Sequence, residues 1–268
     1  MKKKVFFRWL KLFLLVYGLV GISFYYGQEK LLFHPIPLHI DDRYPFPKPY
    51  TEVNIPVSES ANIHLVQFPA NSDSAKGLVL FFHGNKENIT HYADYAPLFT
   101  QKGYTVWMME YPGYGKSKGV LTEKTMNEWA LQCYKLARKR YEPRQIILYG
   151  KSLGTGVAAG LAAVRDCKSL VLESPYYDLP SLFRPYLFLY PLERLLHYHF
   201  PTYQYLPRVD APVTLIHGTN DLLIPLRNSR KLSSFFTKDD RLVEIEGGGH
   251  NNLKDYPQFA ATLEQVLK

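Results

Sequence analysis

An α/β architecture, with a mostly parallel sheet of eight strands and helices on both faces, is what this 268-residue sequence predicts. Three observations predict it. Short runs of Val, Ile, Leu and aromatic residues alternate with longer segments of helical character, and strands without polar alternation are covered on both faces. One strand candidate, Gln145–Tyr149, passes through a single glycine to Ser152 and on into a helix of small residues, a junction typical of parallel sheets. Between Ser174 and Pro212 the rhythm stops, and a proline-rich stretch with ten aromatic residues replaces strand and helix alike.

Taken in chain order, the first element is a basic n-region, residues 1–11, with Lys2, Lys3, Lys4, Arg8 and Lys11. Sixteen uncharged residues follow, Leu12 to Gly27. Trp9 and Leu10 extend this run while Arg8 and Lys11 reach back to headgroups, and Tyr25 and Tyr26 suit the far interface. A signal peptide needs small residues at its cleavage site, and Tyr25-Tyr26-Gly27 has a bulky one there. The run is therefore expected to stay as a transmembrane anchor at 12–27, with a secreted, cleaved form as the alternative. Basic residues crowd only its N-terminal side, which places the N-terminus in the cytoplasm and the remainder, 28–268, outside it.

From Gln28 to about Pro49 no period is visible, and an extended connector lying on the domain is expected. Strand candidates then run from Val53 to Val57, Ile63 to Phe68, Gly77 to Phe82, Tyr104 to Met109, Gln145 to Tyr149, Ser169 to Leu172, Val213 to His217 and Arg241 to Ile245. Helices are expected at Tyr92–Lys102, Thr122–Tyr141, Thr155–Val164, Asn228–Phe236 and Tyr256–Lys268, joined by right-handed crossovers. The proline-rich interval, about 175–209, reads as a small inserted cap of short helices, because proline stops helices from growing.

With 46% hydrophobic residues the chain can bury a full core. Its formal charge of +8 falls to +3 once the five basic residues of the n-region are set aside, too little for nucleic acid. Cys133 and Cys167 form neither a CxxC pair nor a disulfide framework and read as buried thiols.

Gly-x-Ser-x-Gly occurs twice, around Ser117 and around Ser152. Both copies contain Gly-Lys-Ser, the end of a phosphate-binding loop, but the glycine such a loop needs five residues earlier is replaced by Glu110 and Gln145. Ser117 lies in "EYPGYGKSKG", with Pro112 and Gly113 before it and no helix directly after, so it belongs to a loop. Ser152 lies between a strand and a helix. The tight turn such a junction demands explains glycine at 150 and 154 and lifts the hydroxyl above the sheet. A serine nucleophile needs a base, an orienting acid and oxyanion donors. "VTLIHGTNDLLIP" carries Asp221 into the loop after one strand, and "LVEIEGGGHNNL" carries His250 beyond the last. "LVLFFHGNKENI" ends a strand at His83-Gly84, so the main-chain N–H of Asn85 can face the site together with that of Leu153. Glu173, His83 and His217 read as structural, and His197 and His199 lack a third ligand for a metal. No cofactor or metal is implied.

These segments, with "QEKLLFHPIPL", "ESPYYDL" and the leading apolar run, resemble the α/β-hydrolase superfamily, and within it the membrane-anchored serine hydrolases of the α/β-hydrolase-domain type. Some of those are acyl-protein thioesterases. The resemblance implies an α/β-hydrolase fold with Ser152 as nucleophile, Asp221 as acid and His250 as base, in the chain order of that fold. It does not carry thioesterase activity, because the N-terminal cysteine cluster of the thioesterase members is absent. The expectation is a hydrolase of a carboxylic ester or thioester acting on a small-molecule or lipid-like acyl substrate. An acyltransferase or peptidase using the same triad, and a non-catalytic interaction module, remain the alternatives.

Overall fold

The computed structural model describes residues 2–47, 49–72 and 74–268. Met1, the first residue of the expected basic n-region, lies outside them.

All eight expected strands form, within two residues of their expected ends, in one sheet. They are β2 (Thr51–Ser58), β3 (Ala61–Phe68), β4 (Gly77–Phe82), β6 (Tyr104–Met109), β7 (Ile146–Lys151), β8 (Ser169–Glu173), β9 (Val213–Gly218) and β10 (Arg241–Ile245). A short parallel pair, β1 (His34–Pro35) with β5 (Lys86–Glu87), stands apart. The order across the sheet is β10-β9-β8-β7-β4-β6-β3-β2. Neighbours from β10 to β6 are parallel, whereas β3 and β2 are antiparallel additions at one edge.

Alternation along each strand builds two cores. In β4, Leu78, Leu80 and Phe82 face one core while Val79 and Phe81 face the other, and in β7 Ile146 and Leu148 oppose Ile147 and Tyr149. Helices α3 (Glu123–Ala137), α4 (Gly154–Ala162) and α8 (Arg227–Leu232) supply residues to the first core. Helices α2 (Ala96–Thr100) and α9 (Pro257–Val266) cover the second. Thr122 caps α3 by accepting the Thr125 N–H at 3.0 Å, as a threonine before a helix should. Between β8 and β9 the chain makes three short helices, α5 (Leu179–Phe183), α6 (Leu192–Leu195) and α7 (Thr202–Tyr205). Each begins beside a proline, which fixes φ for the first turn and bars longer growth upstream.

One expectation is overturned at the N-terminus. The chain does not turn into an extended connector at Gln28; α1 runs unbroken from Lys2 to Leu32. Gly27 sits in it with nothing nearby, and the first proline is Pro35. The helix continues because its last turns are held by the body. The Gln28 amide donates to Leu195 O at 3.2 Å and accepts the His197 N–H at 2.7 Å, and Leu32 is buried in the first core. Positions 17, 21, 24, 28 and 32 of α1 are half-buried or buried, a stripe at helical spacing, whereas every described residue before Tyr17 is exposed. By length and composition α1 is able to cross a membrane.

Candidate active site

The direction of strand addition reverses at β4: the chain next adds β6 on one side of it, then β7, β8, β9 and β10 on the other. In parallel sheets the crevice beyond the carboxyl ends of the strands at such a reversal is where ligands bind. Asn85 follows β4, Ser152 follows β7, Asp221 follows β9 and His250 follows β10.

Ser152 has φ of 51°, in the left-handed region. A non-glycine residue there carries roughly 1–3 kcal/mol of strain, sustained only when the surroundings fix it. They do so here. The Ser152 N–H donates to Glu173 O at 2.8 Å, and Ser152 O accepts the Thr155 N–H at 2.9 Å and hydroxyl at 2.6 Å. A Cβ on Gly150 would come within 2.5 Å of Gly154 O, and one on Gly154 within 2.1 Å of Phe82 O. Both glycines are therefore demanded by the close approach of strand and helix.

His250 Nδ1 lies 2.8 Å from Asp221 Oδ2, and its Nε2 lies 3.0 Å from Ser152 Oγ. A carboxylate only accepts, so the proton sits on Nδ1 and the Nε2 lone pair faces the hydroxyl. Asp221 is held from four directions. Its Oδ1 accepts the Leu223 N–H at 3.0 Å and the Ile224 N–H at 2.8 Å, and His217 Nε2 stands 3.4 Å from Oδ2 beside His250. Burial opposes its charge, but the hydrogen bonds from His217 and His250 outweigh burial and hold the carboxyl well below the usual carboxylate range. His217 also reaches Ile224 O at 2.7 Å and Ser229 Oγ at 2.6 Å, so it fixes the loop that carries Asp221.

Ser152 opens into a cavity of about 280 Å³. Leu31 and Leu32 of α1, Asn85, Leu153, residues of the β8–β9 segment from Tyr176 to Tyr186, and Leu222–Ile224 line it. Among the described residues, neither the Asn85 N–H nor the Leu153 N–H has an acceptor in the protein. The Asn85 side chain is occupied, donating to Leu32 O at 2.8 Å, and the main-chain carbonyl of Asn85 accepts the His34 N–H at 3.0 Å. A larger cavity of about 500 Å³ lies between Phe46 and α2, and none of its described lining residues is a serine, cysteine or histidine.

The other serine is placed differently. Ser117 is buried in a loop, where its hydroxyl accepts the His64 N–H at 2.8 Å and donates to Glu110 O at 2.9 Å. Glu173 is fully buried and accepts from the Tyr95 hydroxyl at 2.8 Å, from the Tyr149 hydroxyl and from Lys151 Nζ. Lys151, next to Ser152, also donates to His250 O at 3.3 Å, so one ammonium ties the turn at Ser152 to the loop of His250. Neither this lysine nor the two leucines of α1 stood out in the sequence. The only signal for Lys151 was a lysine directly beside the candidate nucleophile.

A family profile described as serine aminopeptidase, S33, matches residues 73–210, more than half of the chain. The chain belongs to this family of α/β-hydrolases. The matched span of the hydrolase includes Ser152 and ends before Asp221 and His250. Among its relatives is human alpha/beta hydrolase domain-containing protein 17B, 30% identical over 207 residues, 73% of this chain and 68% of that one. An uncharacterised protein of Mycobacterium tuberculosis is 32% identical over 187 residues, which span 69% of the hydrolase and 66% of the relative's own length. In fold, the hydrolase is similar to a Pyrococcus furiosus esterase, with TM-score 0.68 and 18% identity over 88% of this chain and 97% of that one. It is similar also to an α/β-hydrolase of Penicillium, with TM-score 0.67 and 16% identity over 82% and 98%.

Proposed function

We propose that the protein is a membrane-anchored serine hydrolase that cleaves a carboxylic ester or thioester through an acyl-enzyme on Ser152. The observation that carries this reading is the line of hydrogen bonds from Asp221 through His250 to Ser152, at the floor of a largely apolar cavity. His250 Nε2 takes the hydroxyl proton as Ser152 Oγ attacks the acyl carbon, and Asp221 stabilises the imidazolium. The N–H groups of Asn85 and Leu153 receive the oxyanion. The imidazolium then protonates the departing alcohol or thiol, and water activated by the same histidine releases the acid and restores Ser152. No step calls for a metal or cofactor.

The strain held at Ser152, among the described residues the one strained position whose side chain also meets the His250–Asp221 line, favours catalysis over a non-catalytic module. The family's name raises an aminopeptidase reading. Recognition of a substrate amino group calls for an acidic side chain, and none of the described lining residues is charged. That favours an acyl group, with the β8–β9 segment as a cap over it. The stripe of α1 residues packed on the cap favours a retained anchor over a cleaved signal peptide, since cleavage near Gly27 would strip Tyr17, Gly21 and Phe24 from their contacts.

The test is covalent labelling with a fluorophosphonate. Ser152→Ala should abolish it and Ser117→Ala should retain it, although the latter leaves the buried His64 N–H without an acceptor and should cost roughly 1–3 kcal/mol in stability. Equal loss of labelling in both folded variants would remove Ser152 from its role.

A further inference from the structure

We propose that the tip of the cap, residues 184–190, is a second membrane-docking surface, seated in the lipid leaflet beside α1. This rests on the anchor reading above. The tip is fastened to α1 at Tyr17 and Gly21. The Tyr17 and Tyr190 rings stack in parallel with centroids 4.4 Å apart, Tyr190 donates to Tyr17 O at 2.7 Å, and Tyr17 donates to Leu189 O at 3.1 Å. Gly21 faces the same ring closely enough that a Cβ would come within 2.9 Å of it.

Those contacts fall inside the uncharged run that ends at Gly27. At 1.5 Å of rise per residue, Tyr17 and Gly21 lie about 15 Å and about 9 Å before its end. A tilt of about 40°, the upper end for such helices, shortens these depths only to about 11 Å and about 7 Å. Moving the span toward the N-terminus does not avoid the conflict. A span ending before Tyr17 would have to take in Lys2, Lys3, Lys4, Arg8 and Lys11, five basic residues. Wherever the helix can cross, the tip is carried into the leaflet with it.

The tip is built for that position. Tyr186 is 79% exposed, Phe188 71% and Leu189 54%. Beside them at the cavity mouth, Leu222 is 94% exposed and Leu223 62%. Pro185 has no N–H, the Arg184 N–H donates to Pro180 O, those of Tyr186 and Leu187 donate to Phe183 O, and that of Tyr190 donates to Leu187 O. Among the described residues this leaves only the Phe188 and Leu189 N–H groups of the segment without a protein acceptor, so little of its backbone has to be satisfied within the leaflet. The apolar surface continues from the tip through Tyr186 and Phe183 into the cavity. An acyl chain therefore passes from the leaflet to Ser152 along apolar side chains, and the substrate class is an amphiphile resident in the bilayer.

The full chain, reconstituted in phosphatidylcholine vesicles containing a phosphatidylcholine with a photoreactive diazirine in its acyl chain, tests this by peptide mass spectrometry. Lipid adducts are expected on α1 and on residues 184–190. The Phe188→Ser/Leu189→Ser variant should lose the tip adducts and keep those on α1. It should raise KM at least about threefold for a long-chain ester presented in the vesicles, with kcat/KM for a short soluble ester within about twofold of wild type. Adducts on α1 without any on the tip overturn the proposal, as do crosslinks from the tip to a second copy of the chain in place of lipid. Absence of adducts from both overturns it together with the anchor reading. Fluorophosphonate labelling of the same sample in detergent reports the hydrolase reading separately.

Discussion

Replacing Lys151 by methionine keeps the stem of the side chain and removes only its ammonium. Lys151 and Glu173 are both buried, and the ammonium joins Glu173 to His250 O. Removing one partner of a buried ion pair typically costs about 3–5 kcal/mol, because the other charge is left uncompensated. The Tyr95 and Tyr149 hydroxyls still donate to Glu173, which places the cost at the lower end, about 3 kcal/mol. For a chain of this size each kcal/mol moves the melting temperature by about 2–4 °C, so Tm should fall by about 6–12 °C. Lys151→Met/Glu173→Gln removes both charges and should recover at least half of that loss. The assay is thermal unfolding of the full chain in detergent for wild type, both single variants and the double variant. Turnover gives a second readout: with the tie to His250 O gone, kcat should fall more than KM changes. A Tm drop under about 2 °C, or a double variant as damaged as the two single losses summed, would refute the argument that the pair acts as a unit.

The remaining predictions concern the acid and the acyl group. Asp221→Asn should lower kcat by about 10⁴-fold, since asparagine cannot stabilise the imidazolium, whereas Glu173→Gln should cost turnover far less. Because the folded state depresses the Asp221 carboxyl, the stability it contributes is complete above the unfolded value of about 3.9 and is lost as pH falls toward the depressed one. The Tm gap between wild type and Asp221→Asn should therefore hold steady above about pH 5 and narrow in acid; a gap unchanged down to about pH 2 would contradict the assignment. For p-nitrophenyl esters below their micelle concentration, each added methylene should raise kcat/KM about fourfold until the cavity is filled, and a strict preference for acetate would mean that the aromatic side chains fill the acyl site. α1 must be kept in these assays, because Leu31 and Leu32 line the cavity.

How much of this could be read from the sequence depended on the distance over which each residue is determined. The strands were legible because burial on both faces leaves continuous apolar runs. The turn at Ser152 was legible because the crowding that requires glycine at 150 comes from Gly154 and Thr155, within five residues of chain, whereas the Phe82 carbonyl that requires glycine at 154 lies on another strand. Asp221 and His250 were legible as polar residues just past strand ends, and the geometry brings both to Ser152. Lys151 was not, since its partners lie 22 and 99 residues away and nothing local marks it as paired. The end of α1 was misjudged for the same reason. Charge and polarity stop the apolar run at Gly27, but the groups that hold Gln28 in a helix lie 167 and 169 residues further on. The β1–β5 pair, two residues on each side, is too short to have a period at all.

The unbroken course of α1 sets a rule for its length. Each residue inserted into an α-helix turns everything beyond it by about 100° and shifts it by about 1.5 Å. Between Tyr17, stacked on Tyr190, and Gln28, wedged between Leu195 and His197, an insertion or deletion of one residue would face one set of contacts away from its partners. Upstream of Tyr17 every described residue is exposed, and residues can be added there without changing the phase of the packed stripe. The spacing from Tyr17 to Leu32 is thus fixed by the protein's own surface, and on the proposed anchor reading variation in bilayer thickness can be met only by lengthening the chain ahead of Tyr17.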